Sequence, residues 1–288
     1  MIKYNILKLK QDKSSYLKKT SLKLIYKELK KTKKISDQFQ TQLFLKNKSQ
    51  KEEGGLRLKG YFKHSRDTEP LITVITVVYN SSKKLEETIK SIKSQSYKNL
   101  EYIIIDGGSS KPTLDIIKKY ENFIDYWVSE SDKGIYDAMN KGCRLALGKG
   151  LLFLNSGDKF VGDVFHHKIK LPCFIPCKVK GIKKKIFSRK VTDPTCGMPT
   201  SHQAMIFANK KKLYNLSYKI SSDYDYYIRN GLFFSLNINC SGYVLYDNSG
   251  LSRIKWMRRD FETMIIIFKN FGLLKFIKFI LRRIFVLF

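Results

Sequence analysis

Two uninterrupted β-branched runs, LITVITVVYN at 71–80 and LEYIIID at 100–106, constrain the fold more than any other feature of the chain. Neither alternates apolar with polar residues, which is the pattern of a strand buried on both faces of a parallel sheet. Between them, Leu85, Ile89 and Ile92 recur at helical spacing over Lys84–Ser94, with Ser82 as candidate N-cap. After the second run a Gly-Gly-Ser-Ser turn leads to a helix opened by Pro112 and reaching about Tyr120. A short third strand follows at Tyr126–Glu130. Then come a helix from about Ile135, a Gly148/Gly150 break and a fourth apolar strand ending in Asn155-Ser156-Gly157-Asp158. Alternating strands and helices predict an α/β, doubly wound, mostly parallel sheet.

Ligands of such sheets lie beyond the carboxyl ends of the strands. Tyr79, Asn80, Asp106 and Asp158 all fall there. No G-x-G-x-x-G follows the first strand and no Walker lysine loop is present, which argues against dehydrogenases and P-loop enzymes. The strand ends offer carboxylates instead, suited to a divalent cation, ribose hydroxyls and base N–H groups.

Charge narrows the partners. Among 288 residues, 55 Lys+Arg oppose 25 Asp+Glu for a net +30, which draws the surface to phosphates or anionic lipid. The excess sits toward both ends and in Lys178–Lys190, while Val74–Asp158 is nearly balanced. With no aromatic-basic repeat and no zinc-finger spacing, nucleic acid is not the expected partner. The five cysteines are scattered, and Cys173 and Cys177 lack a second pair to complete a zinc site, so buried free thiols in a reducing compartment are expected. His166 and His167 have no partner motif. The N-terminus has no apolar run long enough for a signal peptide, which suits a cytoplasmic location.

Residues 1–68 read as a basic N-terminal extension. Leu17, Leu22, Leu24, Ile25 and Leu29 are spaced loosely as one face of a helix, and Glu53 to Pro70 as a linker or irregular lead-in. Residues 254–288 are apolar but interrupted by Lys269, Lys275, Lys278, Arg282 and Arg283. That pattern fits an amphipathic helix lying in an anionic membrane surface, or a terminal helix packed on the domain.

Taken together, ITVITVVYN at 72–80, SIKSQSYKNLEYIIIDGGSS at 91–110, SESDKGIYDAMNKG at 129–142, FLNSGD at 153–158, SHQAMIF at 201–207 and SSDYDYYIR at 221–229 resemble the family 2 glycosyltransferases of the GT-A fold. The likeness is strongest to bacterial members of colanic-acid and O-antigen polysaccharide clusters. It implies a domain over 69–253, with a nucleotide-binding half at 69–158 and an acceptor half at 159–253. It implies a nucleotide-diphosphate sugar as donor and Mg²⁺ or Mn²⁺ as cofactor. By position FLNSGD corresponds to the family's Asp-x-Asp motif, with Asn155 and Gly157 where acids are common and Asp158 left as the metal carboxylate. Asp106 matches the first acid of a strand-end pair, and Gly107 replaces the second. Tyr79 and Asn80 would border ribose and base; Asp132, Lys133, Gly134 and Asn140 belong to the loop and helix beside the donor, with Lys133 facing phosphate. His202 and Gln203 would line the sugar or acceptor site. Ser222 replaces the Glu of a Glu-Asp motif, Asp223 falls on the catalytic base and Asp225 on a structural acid; two residues apart on a helix, they cannot share a face.

The resemblance therefore implies an inverting transferase acting on a lipid-linked glycan at the inner face of the bacterial plasma membrane. Transfer to polyprenyl phosphate, or a non-catalytic basic protein binding membrane or nucleic acid, are the alternatives.

Overall fold

The computed structural model describes residues 16–18, 50–165, 169–181, 193–231, 236–237, 240–247 and 255–286. The centre is a parallel sheet of β4 (Ile72–Val78), β5 (Leu100–Asp106), β6 (Tyr126–Glu130) and β7 (Gly150–Phe153), and every residue of these four strands is buried. Side-chain alternation sorts them into two cores. Ile75, Val77, Ile103, Ile105 and Phe153 face one side, while Ile72, Val74, Val78 and Ile104 face the other. Helices α1 (Ser82–Lys93) and α2 (Lys111–Lys119) cover the second face through Leu85, Ile89, Ile92 and Ile117. The first face is covered by α3 (Ile135–Leu145), α4 (Ser222–Asn230) and α5 (Trp256–Val286). The N-cap of α1 is Ser81 rather than Ser82, and its side chain makes no capping bond.

The full sheet is mixed. Its order is β12-β9-β11-β7-β4-β5-β6-β2, where β2 is Gln50–Gly54, β9 Cys173–Phe174, β11 Met205–Ala208 and β12 Leu236–Asn237. Strand β11 runs antiparallel to both neighbours, and β2 runs antiparallel to β6. A smaller sheet, β10 (Cys177–Val179), β13 (Tyr243–Tyr246) and β8 (Lys159–Val161), lies beyond Asp158.

The lead-in is not irregular. Strand β2 extends the main sheet, and the 3₁₀ turn Leu56–Lys59 sends Arg57 inward, 1% exposed, where its guanidinium meets Glu101 at 2.6 Å and the Leu145 carbonyl at 2.9 Å. Glu101 also accepts from Thr73 and from the Leu147 amide. Lys63, on β3 (Tyr61–Lys63), pairs with buried Asp125 at 2.8 Å. Leu17 lies in a strand, β1 (Tyr16–Lys18), antiparallel to β3 and not in a helix; Leu22, Leu24, Ile25 and Leu29 lie outside the described residues, as do His166, His167 and Ile182–Lys190.

The tail fits neither simple expectation alone. Helix α5 breaks at Gly272 (φ 76°), and it buries Ile266, Ile267 and Phe279 against the core. Of the eleven large apolar side chains exposed among the described residues, eight lie on this helix, from Trp256 to Leu281. One side is therefore packed and another is left open. No helix among the described residues is long and apolar enough to cross a membrane.

Candidate active site

The strand-end loops are tied together by short polar bonds. Asn80, held at φ 47°, donates its amide to Ser109 Oγ (2.8 Å) and accepts at Oδ1 from the Ser110 amide (2.9 Å) and hydroxyl (3.0 Å). Asp106 is fully buried; its Oδ2 accepts from the Gly108 and Ser109 amides and the Ser129 hydroxyl, while its Oδ1 has no partner. A Cβ on Gly107 would stand 2.6 Å from Asp132 Oδ2 and 3.4 Å from the Tyr79 ring, so glycine here lets the three meet. Tyr79 is 68% exposed and available for stacking.

Asp132 accepts the Gly134 amide at 2.8 Å, and burial raises its pKa. Gly134, at φ 113°, starts α3, and exposed Lys133 leaves its ammonium outside. Asn140, expected beside the donor, is 2% exposed, and both ends of its amide are engaged by the Tyr214 backbone, at 3.0 and 2.6 Å. Its side-chain amide is spent on holding α3 to Tyr214, contrary to the expectation that it lines the donor site.

Asp158 marks the far edge. It is 5% exposed, accepts Gln203 Nε2 at Oδ2 (3.2 Å) and the Asp247 amide at Oδ1 (3.3 Å), and burial pushes its pKa up to about 6. The antiparallel pairing of β8 with β13 brings Asp247 alongside. Thr88 on α1 bonds both the Asp158 carbonyl and the Gly157 amide, fixing the turn. The Oδ1 of Asn155 is buried without a partner. The Asp158 carboxylate and the Asn155 amide oxygen are each hard oxygen donors of the kind that Mg²⁺ or Mn²⁺ takes. No group of three or more His, Cys, Asp or Glu side chains able to hold a metal occurs among the described residues, so further ligands would have to be substrate oxygens and water.

Helix α4 separates the two acids of SSDYDYYIR. Asp225 is 4% exposed and bonded to Arg229 at 2.7 Å, whereas Asp223 turns to the other side. There its Oδ2 lies 3.3 Å from His202 Nδ1, and its Oδ1 accepts the Tyr224 amide and stands 3.5 Å from the Tyr136 hydroxyl. Tyr136, in the first turn of α3 just after the Asp132–Gly134 loop, donates to the Ile220 carbonyl (2.6 Å). Asp223 opens on a cleft of about 590 Å³ whose walls include Thr195, Met198, Arg259, Phe279 and Arg282.

Three contributors escape a motif reading. Asp247 carries no sequence signal beyond its residue type, and Tyr136 lies inside the 129–142 motif without being singled out there. Glu262 does carry one, as an acid within an apolar tail. Its carboxylate accepts three consecutive backbone amides, Lys219, Ile220 and Ser221, at 2.8–2.9 Å.

Residues 73–165 match the family described as glycosyl transferase family 2. An uncharacterized glycosyltransferase of Mycobacterium tuberculosis is 43% identical over 94 residues, 32% of this chain and 36% of that protein. The putative teichuronic acid biosynthesis glycosyltransferase TuaG of Bacillus subtilis is 34% identical over 105 residues, 35% of this chain and 42% of that one. The chain thus matches about two-fifths or less of these relatives' length. Among solved structures, Pyrobaculum calidifontis mannosyltransferase PcManGT in complex with GDP-Man and Mn²⁺ aligns with a TM-score of 0.52 and 14% identity, covering 70% of this chain and 64% of that one. S. aureus TarS 1-349 in complex with UDP-GlcNAc aligns with a TM-score of 0.52 and 18% identity, covering 68% and 66%. These two likenesses are of fold. Residues 73–165 thus resemble glycosyl transferase family 2, and they lie within an α/β fold of the GT-A type.

Proposed function

We propose that the chain is an inverting glycosyltransferase that moves a sugar from a nucleotide-diphosphate donor to a hydroxyl of a lipid-linked glycan in cell-surface polysaccharide synthesis. The observation that carries this reading is a single turn: His202 reaches Asp223, and its neighbour Gln203 reaches Asp158. A carboxylate at the donor end and one fit to take a proton are thereby held at a fixed separation.

In this reading Tyr79, Asn80, Asp106 and Asp132 receive the nucleoside, Lys133 and the Gly134 end of α3 its phosphates, and His202 and Gln203 the sugar. Asp158, with Asn155 and Gly157 in its turn, would hold Mg²⁺ or Mn²⁺. When bound, that ion supplies positive charge to the leaving diphosphate. Asp223 Oδ2 accepts the proton of the acceptor hydroxyl, whose oxygen attacks the anomeric carbon as the nucleotide departs from the opposite side. One in-line displacement inverts the anomeric configuration. His202 and Tyr136 restrict the rotation of Asp223.

Relatives support the substrate classes. TuaG carries a name from teichuronic acid biosynthesis, and the two structural neighbours are in complex with GDP-Man and Mn²⁺ or with UDP-GlcNAc. The exposed apolar face of α5, flanked by Lys269, Lys278 and Arg282, suits the inner face of a bacterial plasma membrane, where a lipid-linked acceptor is presented.

The test is a thermal-shift screen of nucleotide sugars with Mn²⁺, followed by product analysis. One nucleotide sugar at a hundredfold excess over its Kd should stabilise the fold by about 2.7 kcal/mol, and its sugar should transfer with inversion. Retention of anomeric configuration, or no nucleotide-sugar binding beside tight, salt-dependent DNA binding, removes the reading.

A further inference from the structure

The base proposed above stands near the N-terminus of α4, a helix of nine residues whose N-cap, Ser221, offers no side-chain capping bond. Its approach is held from elsewhere. Glu262 on α5 is 5% exposed, with Oε1 accepting the Lys219 amide at 2.9 Å and Oε2 accepting the Ile220 and Ser221 amides at 2.8 and 2.9 Å. Arg258, one turn earlier, closes the carboxylate from behind at 3.0 Å. Ser221 Oγ also donates to the Arg259 carbonyl at 3.0 Å, so both backbone and side chain of the N-cap are fastened to α5.

Three amides on one carboxylate make an anion-binding nest of the 219–221 backbone, with the anion supplied by the protein itself. Burial alone would raise the Glu262 pKa, but the three amides and Arg258 outweigh it and lower it. The group is therefore charged across the neutral range, and the clamp rests on charge-assisted hydrogen bonds. Two residues beyond the clamp comes Asp223, and the carbonyl of Ile220, itself in the clamp, accepts the Tyr136 hydroxyl from α3. The α4 N-terminus is thus gripped on one side by the helix of the donor loop and on the other by the C-terminal helix.

We infer that Glu262 is a positioning residue for Asp223, so that the C-terminal helix, outside the matched family segment, sets the place of the base as well as packing the core. The inference rests on the reading of Asp223 as base. It differs from simple packing in what it demands of the side chain. Glutamine keeps the volume of Glu262 and one acceptor oxygen, but its NH₂ must then face a backbone N–H, leaving at least one amide of 219–221 without a partner. A shift of the α4 N-terminus by a fraction of an ångström is enough to misplace a base against a hydroxyl.

The experiment uses the full chain and the nucleotide sugar chosen by the binding screen, with nucleoside diphosphate release as the readout. Glu262→Gln is compared with Ile267→Val, which trims a fully buried contact of α5 without touching the clamp. The expected result for Glu262→Gln is a kcat lower by on the order of 10-fold to 100-fold at an unchanged donor KM, with faster amide exchange confined to 219–225. Ile267→Val should lower the melting temperature and leave kcat alone. Wild-type kcat in Glu262→Gln despite faster exchange overturns the inference, as does a kcat loss that follows melting temperature equally in both variants. Asp223→Asn is run alongside: full activity there sinks the base assignment instead, and so separates the two failures.

Discussion

His202 Nδ1 lies 3.3 Å from Asp223 Oδ2, and the next residue, Gln203, donates to Asp158. The imidazole is 15% exposed at its side chain and its Nε2 is buried without a partner, so it is held for Asp223 and for whatever fills the site. His202→Ala frees one oxygen of Asp223 and widens its rotation. Its turnover should fall about 10-fold, whereas Asp223→Asn, which removes the proposed proton acceptor, should cost on the order of 10²-fold to 10⁴-fold. Initial rates of nucleoside diphosphate release with unchanged thermal midpoints check both, and equal losses would place the proton on the imidazole instead.

Asp158 predicts a pH dependence of folding. Its pKa is raised from 3.8 to about 6 by burial, so the folded state favours the protonated form. The associated stability is fully present below the unfolded value near 4 and is lost as pH rises through 6. Two pKa units at 1.36 kcal/mol each give a change of about 3 kcal/mol. Denaturant titrations of wild type and Asp158→Asn at pH 4 and pH 7.5, without divalent ions, isolate it: their stability difference should move toward the variant by about that amount. A constant difference means that Asp158 is solvated in solution. The same variant should lose transfer activity.

What was legible in the sequence follows from burial on both faces of the sheet. The runs at 72–78 and 100–106 had no polar alternation to misplace them, and the strand at Tyr126–Glu130 and helix from Ile135 fall where the pattern puts them. The side chains of Asp223 and Asp225 separate because a helix sends i and i+2 to different sides, and Arg229 takes up Asp225. Long-range pairing was not legible. Nothing local says that Arg57 crosses to Glu101, that Asp247 arrives beside Asp158, or that Asn140 turns to Tyr214. Each depends on a partner far along the chain, which periodicity cannot report.

Arg57 gives the clearest test of that long-range part. The guanidinium and Glu101 are each 1% exposed, and Glu101 also gathers Thr73 and the Leu147 amide at 2.6 and 2.8 Å. Arg57→Ala leaves a carboxylate buried with only neutral donors. Loss of one partner from such a pair costs about 3–5 kcal/mol, most of it for the uncompensated charge. Arg57→Ala/Glu101→Gln should recover part of the loss. Urea denaturation of the two variants measures the gap, and a single variant as stable as wild type would mean that residues 50–63 do not hold the sheet.

The open side of α5 gives a prediction about location. Leu274 is 85% exposed and Phe261 63%, on opposite sides of the Gly272 break, and neither is part of the packed face formed by Ile266, Ile267 and Phe279. Burying one such side chain in an apolar phase yields about 1.5–3 kcal/mol. Leu274→Glu removes that gain and adds repulsion from an anionic surface, so vesicle binding should weaken by roughly 10-fold to 100-fold. Phe261→Glu should act alike if both helical segments lie in one plane of contact. Because both positions are already exposed, melting temperatures should stay close to wild type. Sedimentation with phosphatidylglycerol vesicles, against phosphatidylcholine vesicles and at raised salt, reads the apolar and ionic contributions separately. Binding that disappears with salt but ignores Leu274→Glu would assign the attraction to Lys269, Lys278 and Arg282 alone, and leave the apolar face for some other partner.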